Sequence, residues 1–192
     1  GELWIEISNR GSEYEIEIIA PDKPGLLSVV AGVLNVARLD VRSARTKTIE
    51  ASAVMRWIVV SSPHAQEPTK EKLQRDLADA LIDARKIEKK ISDRIDSYSQ
   101  QSLIPVPPLE IEVFDDAATD ATVIEIRSHD RPALLFTIGS AVTRCQIDIK
   151  SAIVTTLGAE AIDTLYVTEI SGEPLSPLRA LQVKERLASL LK

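Results

Sequence analysis

Two short phrases hold the groups best placed for binding chemistry. One is Asp130-Arg131-Pro132-Ala133-Leu134-Leu135; the other, 108 residues earlier, is Asp22-Lys23-Pro24-Gly25-Leu26-Leu27. Each stands between an alternating apolar run and an apolar pattern at helical spacing, which predicts a helix N-terminus just after a strand. Such a terminus offers free backbone N–H groups, here those of Ala133 and Leu134 in the later copy, at the positive end of the helix dipole. Gly25 or Ala133 keeps side-chain bulk away from them. A carboxylate suits the amides and Asp22 or Asp130 suits an ammonium, so the ligand class is the free amino acid, which has both groups on one carbon. The competing interpretation is plain: an Asp before Pro at a helix start is commonly only a cap, and the leucines after it are core.

Few other residues compete. His129 abuts Asp130, within reach of a ligand there, although a lone His beside a loop is more often solvent-exposed; His64 sits in a Pro-rich loop. No His, Cys and carboxylate set has metal-ligand spacing, and neither a Ser/His/Asp order nor a Gly-x-x-x-x-Gly-Lys phosphate loop is present. Asp115, Asp116 and Asp120 form an acidic turn that reads as solvated. The single cysteine, Cys145, lies in a helical apolar pattern and reads as a buried small residue. The expectation is a chain with no catalytic centre and no cofactor.

Composition points the same way. A net charge of −6 and seven aromatic residues (two Trp, three Tyr, two Phe) give no electrostatic footprint or stacking platform for nucleic acid. No apolar run reaches 18 residues, so no membrane span is expected. Residue 1 leads directly into strand-like sequence without a signal-peptide pattern, and one cysteine allows no internal disulfide; a cytoplasmic setting is the expectation.

The elements that must position the phrases repeat at the same offset. Leu3 to Ile7 and Tyr14 to Ile18 alternate around an Asn9-Arg10-Gly11-Ser12 turn, predicting a hairpin with Tyr14, Ile16 and Ile18 on one face. After the first phrase, Leu27, Val30, Ala31 and Leu34 predict a helix with Pro24 in its first turn. Asp40–Ile49 and Ala53–Val60 read as strands. Leu73, Leu77, Leu81, Ala84, Ile87, Ile91 and Ile95 then predict one long helix over 69–96, with Glu71–Arg75 and Lys89–Asp93 ion pairs. Ser99 to Pro108 reads as an extended linker. The pattern restarts with alternating runs at 109–114 and 122–127, a helix after Asp130, strands over 146–157 and 161–170, and a last helix opened by Ser176 as N-cap and Pro177 at N1. Ile16 matches Ile124, Leu27 matches Leu135, Asp40 matches Asp148 and Ser43-Ala44 matches Ser151-Ala152. The expected division is 1–97, a linker at 98–108, and 109–192.

A doubled strand-strand-helix-strand-strand-helix unit predicts an α+β fold of two ferredoxin-like units, each a four-stranded antiparallel sheet with two helices on one face. The repeated Asp-x-Pro-Gly/Ala-Leu-Leu phrase in that order resembles tandem ACT domains. The later copy, with Asp130–Phe136, Ile149–Thr156 and Ala161–Thr168, is similar to the C-terminal end of the PII uridylyltransferase family. The first copy departs further, with Met55-Arg56-Trp57-Ile58 in place of an Asp-x-Phe-Tyr run. The resemblance implies a regulatory module without its own catalytic centre, in which glutamine binds around the loop where two units meet and the parent enzyme acts on the PII signal protein. It also implies a homodimer formed through ACT sheets or edges. A freestanding ACT-repeat sensor of another amino acid and a ligand-free dimerisation module are the alternatives.

Overall fold

The computed structural model describes residues 2–63, 65–97, 107–114 and 118–192, the last four of α3 by backbone only. His64, Asp115, Asp116 and most of the expected linker fall outside the described residues. The elements run β1 (Trp4–Asn9), β2 (Tyr14–Pro21), α1 (Leu26–Val36), β3 (Leu39–Ile49), β4 (Ser52–Ser61), α2 (Lys70–Ile82) and α3 (Arg85–Ser97). They continue with β5 (Glu110–Phe114), β6 (Thr122–His129), α4 (Leu134–Arg144), β7 (Ile147–Leu157), β8 (Glu160–Glu169) and α5 (Pro177–Leu191).

All eight strands form one antiparallel sheet in the order β1-β2-β4-β3-β7-β8-β6-β5. Within each half the order is that of a ferredoxin-like unit whose last strand has moved to the front of the chain. The halves join edge to edge through β3 and β7, from Ser43 opposite Thr155 to Lys47 opposite Ser151. The second half reproduces local details of the first at the 108-residue offset. Both β3 and β7 slip register once, at Val41/Ser43 and Ile149/Ser151. The turns before these strands place Arg38 (φ 60°) and Gln146 (φ 57°) in the left-handed region.

The alternating runs bury one face: Ile16, Ile18, Trp57 and Val59 in the first half, Ile124, Ile126, Leu165 and Val167 in the second, all but sealed from solvent. The helices cover that face. The opposite face stays open, with Glu17 bridged to Arg56 at 2.9 Å and the apolar surfaces of Trp4, Ile19, Val54 and Ile153 exposed.

Close contact between α1 and α4 holds the two helical layers together. The Ser28 hydroxyl donates to the Phe136 carbonyl at 3.0 Å and lies 2.8 Å from the Ser140 hydroxyl. A Cβ on Gly139 would come within 2.9 Å of the Ser28 Cβ and 3.1 Å of its backbone, so the crossing requires glycine there. This contact and the β3–β7 pairing bring each phrase against the other half of the chain.

Three expectations fail. The long helix over 69–96 is two helices, broken at Asp83, whose backbone is extended (φ −143°, ψ 91°) and whose carboxylate receives the Arg85 guanidinium at 3.1 Å. The break lets Leu73 and Leu77 stay buried on α2, which packs on α1 and β1, while Ile87 and Ile91 turn onto α1 beside Gly32, leaving Ile82 exposed at the corner. A straight helix would carry the second stripe past the core. Among the described residues the ion pairs on α2 are Lys72–Asp76 at 3.3 Å and Arg75–Asp76 at 3.9 Å, not Glu71–Arg75, and Lys89–Asp93 is not formed. Pro24 also precedes α1 by two residues, in a turn closed by the Leu26 N–H and the Lys23 carbonyl at 3.0 Å. The final helix begins as its sequence indicates, with the Ser176 hydroxyl accepting the Arg179 N–H at 3.3 Å.

Candidate ligand-binding site

Each phrase forms a tight turn from strand into helix. Residue 25 or 133 occupies the N-cap in the left-handed conformation, Gly25 at φ 84° and Ala133 at φ 61°. At Gly25 the backbone favours glycine more than the space does, since a Cβ there would touch only Thr143, at an ordinary 3.4 Å or more, whereas Ala133 holds the same conformation with a side chain. Neither aspartate caps its helix. Both turn backwards instead, the Asp22 N–H bonding the Ala51 carbonyl and the Asp130 N–H bonding the Ala159 carbonyl, at 3.0 and 2.9 Å. The cap interpretation of these aspartates is therefore set aside. One expected anion donor is also lost, because the Leu134 N–H is spent within the turn on the Arg131 carbonyl at 3.1 Å.

Around the later phrase the chain encloses a cavity of about 300 Å³. One wall is Asp130 through Phe136. The facing wall comes from the first half: Ala31 and Asn35 of α1, with Leu39, Asp40 and Val41 at the start of β3. The floor is sheet, formed by Val154, Thr156, Ala161 and Asp163. Polar and apolar groups converge at a junction between two units, the usual setting of a small-molecule site. His129 lies outside this cavity, half-buried, with its Nδ1 buried and unpartnered among the described residues.

The earlier phrase has an equivalent place against the second half. Asp22, Lys23, Gly25 and Leu26 face Gly139, Thr143 and Asp148 there, but the space left is about 20 Å³, room for little more than one water. One substitution and one change of hydrogen-bond partner at equivalent positions account for much of the difference. The floor position occupied by Asp163, between Ile126 and Val154, is occupied in the first half by Met55, between Ile18 and Thr46. Thr48, with its hydroxyl 2.6 Å from the Asp22 carboxylate, holds that aspartate in place, whereas the equivalent Thr156 donates to the Val41 carbonyl at 3.2 Å.

The electrostatics of the open cavity follow from burial. Asp163 is 1% exposed, and neither carboxylate oxygen has a hydrogen-bond partner among the described residues. Desolvation, with Asp130 adding like-charge repulsion, pushes its pKa up to about 7. Burial also raises the Asp130 pKa, against the pull of Arg42. Sequence reasoning singled out the phrase and missed Asp163. The available signal was an acidic residue at an inward position of an otherwise apolar strand, Ala161, Asp163, Leu165 and Val167. Cys145 is buried, as its setting indicates, and burial raises its thiol pKa. No group of three or more metal-ligating side chains is present among the described residues.

Two ferredoxin-like units in one sheet, with repeated Asp-x-Pro turns at their junction, define a tandem ACT-type pair. The relatives of the chain agree. It is 34% identical over 184 residues to the bifunctional uridylyltransferase/uridylyl-removing enzyme of Streptomyces coelicolor, a match covering 93% of this chain and 22% of that enzyme. It is 31% identical over 178 residues to the enzyme of the same description from Novosphingobium aromaticivorans, covering 90% and 19%. By sequence, then, the chain is homologous to a segment of the bifunctional uridylyltransferase/uridylyl-removing enzymes. It spans about a fifth of the length of these curated relatives. No family model matches. A solved structure described as a candidate glycine cleavage system transcriptional repressor aligns over 93% of this chain and 89% of its own, at 14% identity and a TM-score of 0.30. The fold assignment rests on the strand order itself.

Proposed function

We propose that this chain is a regulatory amino-acid-sensing module, with glutamine as effector, of a bifunctional uridylyltransferase/uridylyl-removing enzyme that modifies the PII signal protein. The observation that carries the reading is the cavity of about 300 Å³ between the Asp130 phrase and the α1–β3 corner of the other half. A ligand there touches both units at once, so its binding energy couples directly to how they pack, which is what an effector site requires. Asp130 supplies negative charge for an ammonium, and the N-terminal turn of α4, through the Ala133 amide, supplies the pole for a carboxylate. In this reading residues 1–97 and 109–192 are the two ACT domains, catalysis belongs to the parent enzyme, and the setting is cytoplasmic.

Calorimetric titration of the chain with glutamine, against the other nineteen amino acids, tests the reading. Glutamine should bind with one site per chain, and Asp130→Ala should weaken it at least tenfold while the circular dichroism spectrum stays unchanged. Absence of heat and of any thermal shift with all twenty at millimolar concentration would refute it. A second reading, a dimerisation module without a ligand, draws on the exposed Trp4, Ile19, Val54 and Ile153 on the open sheet face. It predicts a dimer whose affinity no amino acid alters.

A further inference from the structure

Asp163 opens the run Asp163-Thr164-Leu165-Tyr166, which the first copy replaces with Met55-Arg56-Trp57-Ile58, and its surroundings are unusual for an acid. A carboxyl on the floor of the cavity, sealed from bulk solvent and without a hydrogen-bond partner among the described residues, costs stability unless something completes it. The other half of the chain shows the apolar solution at the equivalent position, Met55, and the space there is closed. Retaining an acid at this point is explained by a donor arriving from outside.

The nature of the donor follows from the neighbours. The loop contributes Asp130 and the exposed Arg131, β3 contributes Asp40, and α1 contributes only the neutral Asn35. Beside Asp163 on the sheet stand Ile126 and Val154, both uncharged. Arg42 and His129 lie close enough to pull on Asp130, but only burial and Asp130 itself act perceptibly on Asp163. Asp163 on the floor and Asp130 on the wall thus form a pair of acids, and the cation in the lining, Arg131, is exposed and donates to the Leu191 carbonyl at 3.4 Å. A side-chain amide offers only a dipole to the two acids; an ammonium brings a full positive charge that offsets one of the two negative charges and reduces their repulsion.

Resting on the amino-acid-sensing reading above, we propose that Asp163 is the specificity-determining residue of the open site. It receives the α-ammonium of the ligand and gives up its own proton to solvent as the ligand enters. Because burial and Asp130 raise its pKa to about 7 in the free protein, Asp163 is largely protonated below neutrality and must ionise to hold the ammonium. Affinity therefore rises with pH, by at most about tenfold per unit below 7, and levels off above it.

The test is calorimetry on the 192-residue chain with glutamine as probe, at pH 6, 7 and 8, in two buffers of different ionisation enthalpy. Wild-type protein should release close to one proton per glutamine at pH 6 and little at pH 8. Asp163→Asn, which keeps shape and removes the acid, should abolish proton release and weaken binding at least tenfold at pH 8. Asp163→Met should eliminate binding. His129→Asn should leave proton release intact. Glutaramic acid, which is glutamine without the α-ammonium, should not bind. Tight glutamine binding by Asp163→Asn, or wild-type binding without proton release at pH 6, would overturn the Asp163 assignment and leave the sensor reading standing. Failure of all twenty amino acids to bind the wild type would overturn both.

Discussion

The two Asp-x-Pro turns have nearly the same backbone and opposite surroundings. Both run from strand through a left-handed N-cap into a helix, and both meet the other half of the chain beside the α1–α4 crossing. The turn at Asp22 is filled, with Met55 beneath it and Thr48 holding its aspartate; the turn at Asp130 stands over a cavity with an unpartnered acid at the floor. The difference teaches that the turn itself is scaffold. Whether a cavity opens beside it is decided by strand residues more than 20 positions away in sequence, which no inspection of the phrase alone reveals.

The largest expected effect comes from placing the open floor in the closed half. Met55→Asp should cost about 5 kcal/mol, combining a lost buried side chain with an unsatisfied carboxyl in a space too small for a ligand. Urea denaturation measures it; wild-type stability would show that the first turn opens as readily as the second.

Next is the pH dependence of the free protein. The folded pKa of Asp163, about 7, lies above its ordinary value of 3.8, so the native state keeps a proton that the unfolded chain releases. The associated penalty is absent below about pH 4, grows through the interval between the two values and is complete above about 7. Asp163→Asn should therefore melt like wild type at pH 4 and several degrees higher at pH 8, with a ceiling of about 4 kcal/mol. Equal melting temperatures at both values would place the carboxyl in solvent.

The smallest effects concern the N-caps. Gly25→Ala should destabilise by about 1 kcal/mol and Ala133→Gly should stabilise by up to the same amount, since both residues occupy the left-handed region. Thermal melts of the two variants should move in opposite directions; parallel shifts would mean that contacts rather than backbone conformation govern the caps.

Much of this was legible in the sequence, and the reason is periodicity. Strands such as Tyr14–Pro21 and Thr122–His129 announce themselves by alternation, and a repeat at fixed offset supplied an internal check on each boundary. The break at Asp83 was not legible because the apolar stripe continues in helical phase across it. Only the position of α1 makes two short helices better than one long one. The Leu134 amide was misjudged because a turn ahead of a helix consumes donors that a bare helix end would leave free. Asp163 escaped because its meaning lies in what surrounds it: Val154 and Ile126 beside it, Asp130 above it, and half of the cavity contributed by residues near position 40.

The pairing of β3 with β7 has one more consequence. Two identical subunits joined edge to edge by a two-fold axis must carry every site twice, and any mutation in one appears in the other. Covalent tandem fusion keeps the geometry of that dimer and lifts the constraint. Met can stand where its counterpart is Asp, and one junction can harden into a bearing while the other stays responsive. The two junctions of this chain can therefore differ, as the cavity of about 300 Å³ beside one turn and about 20 Å³ beside the other do.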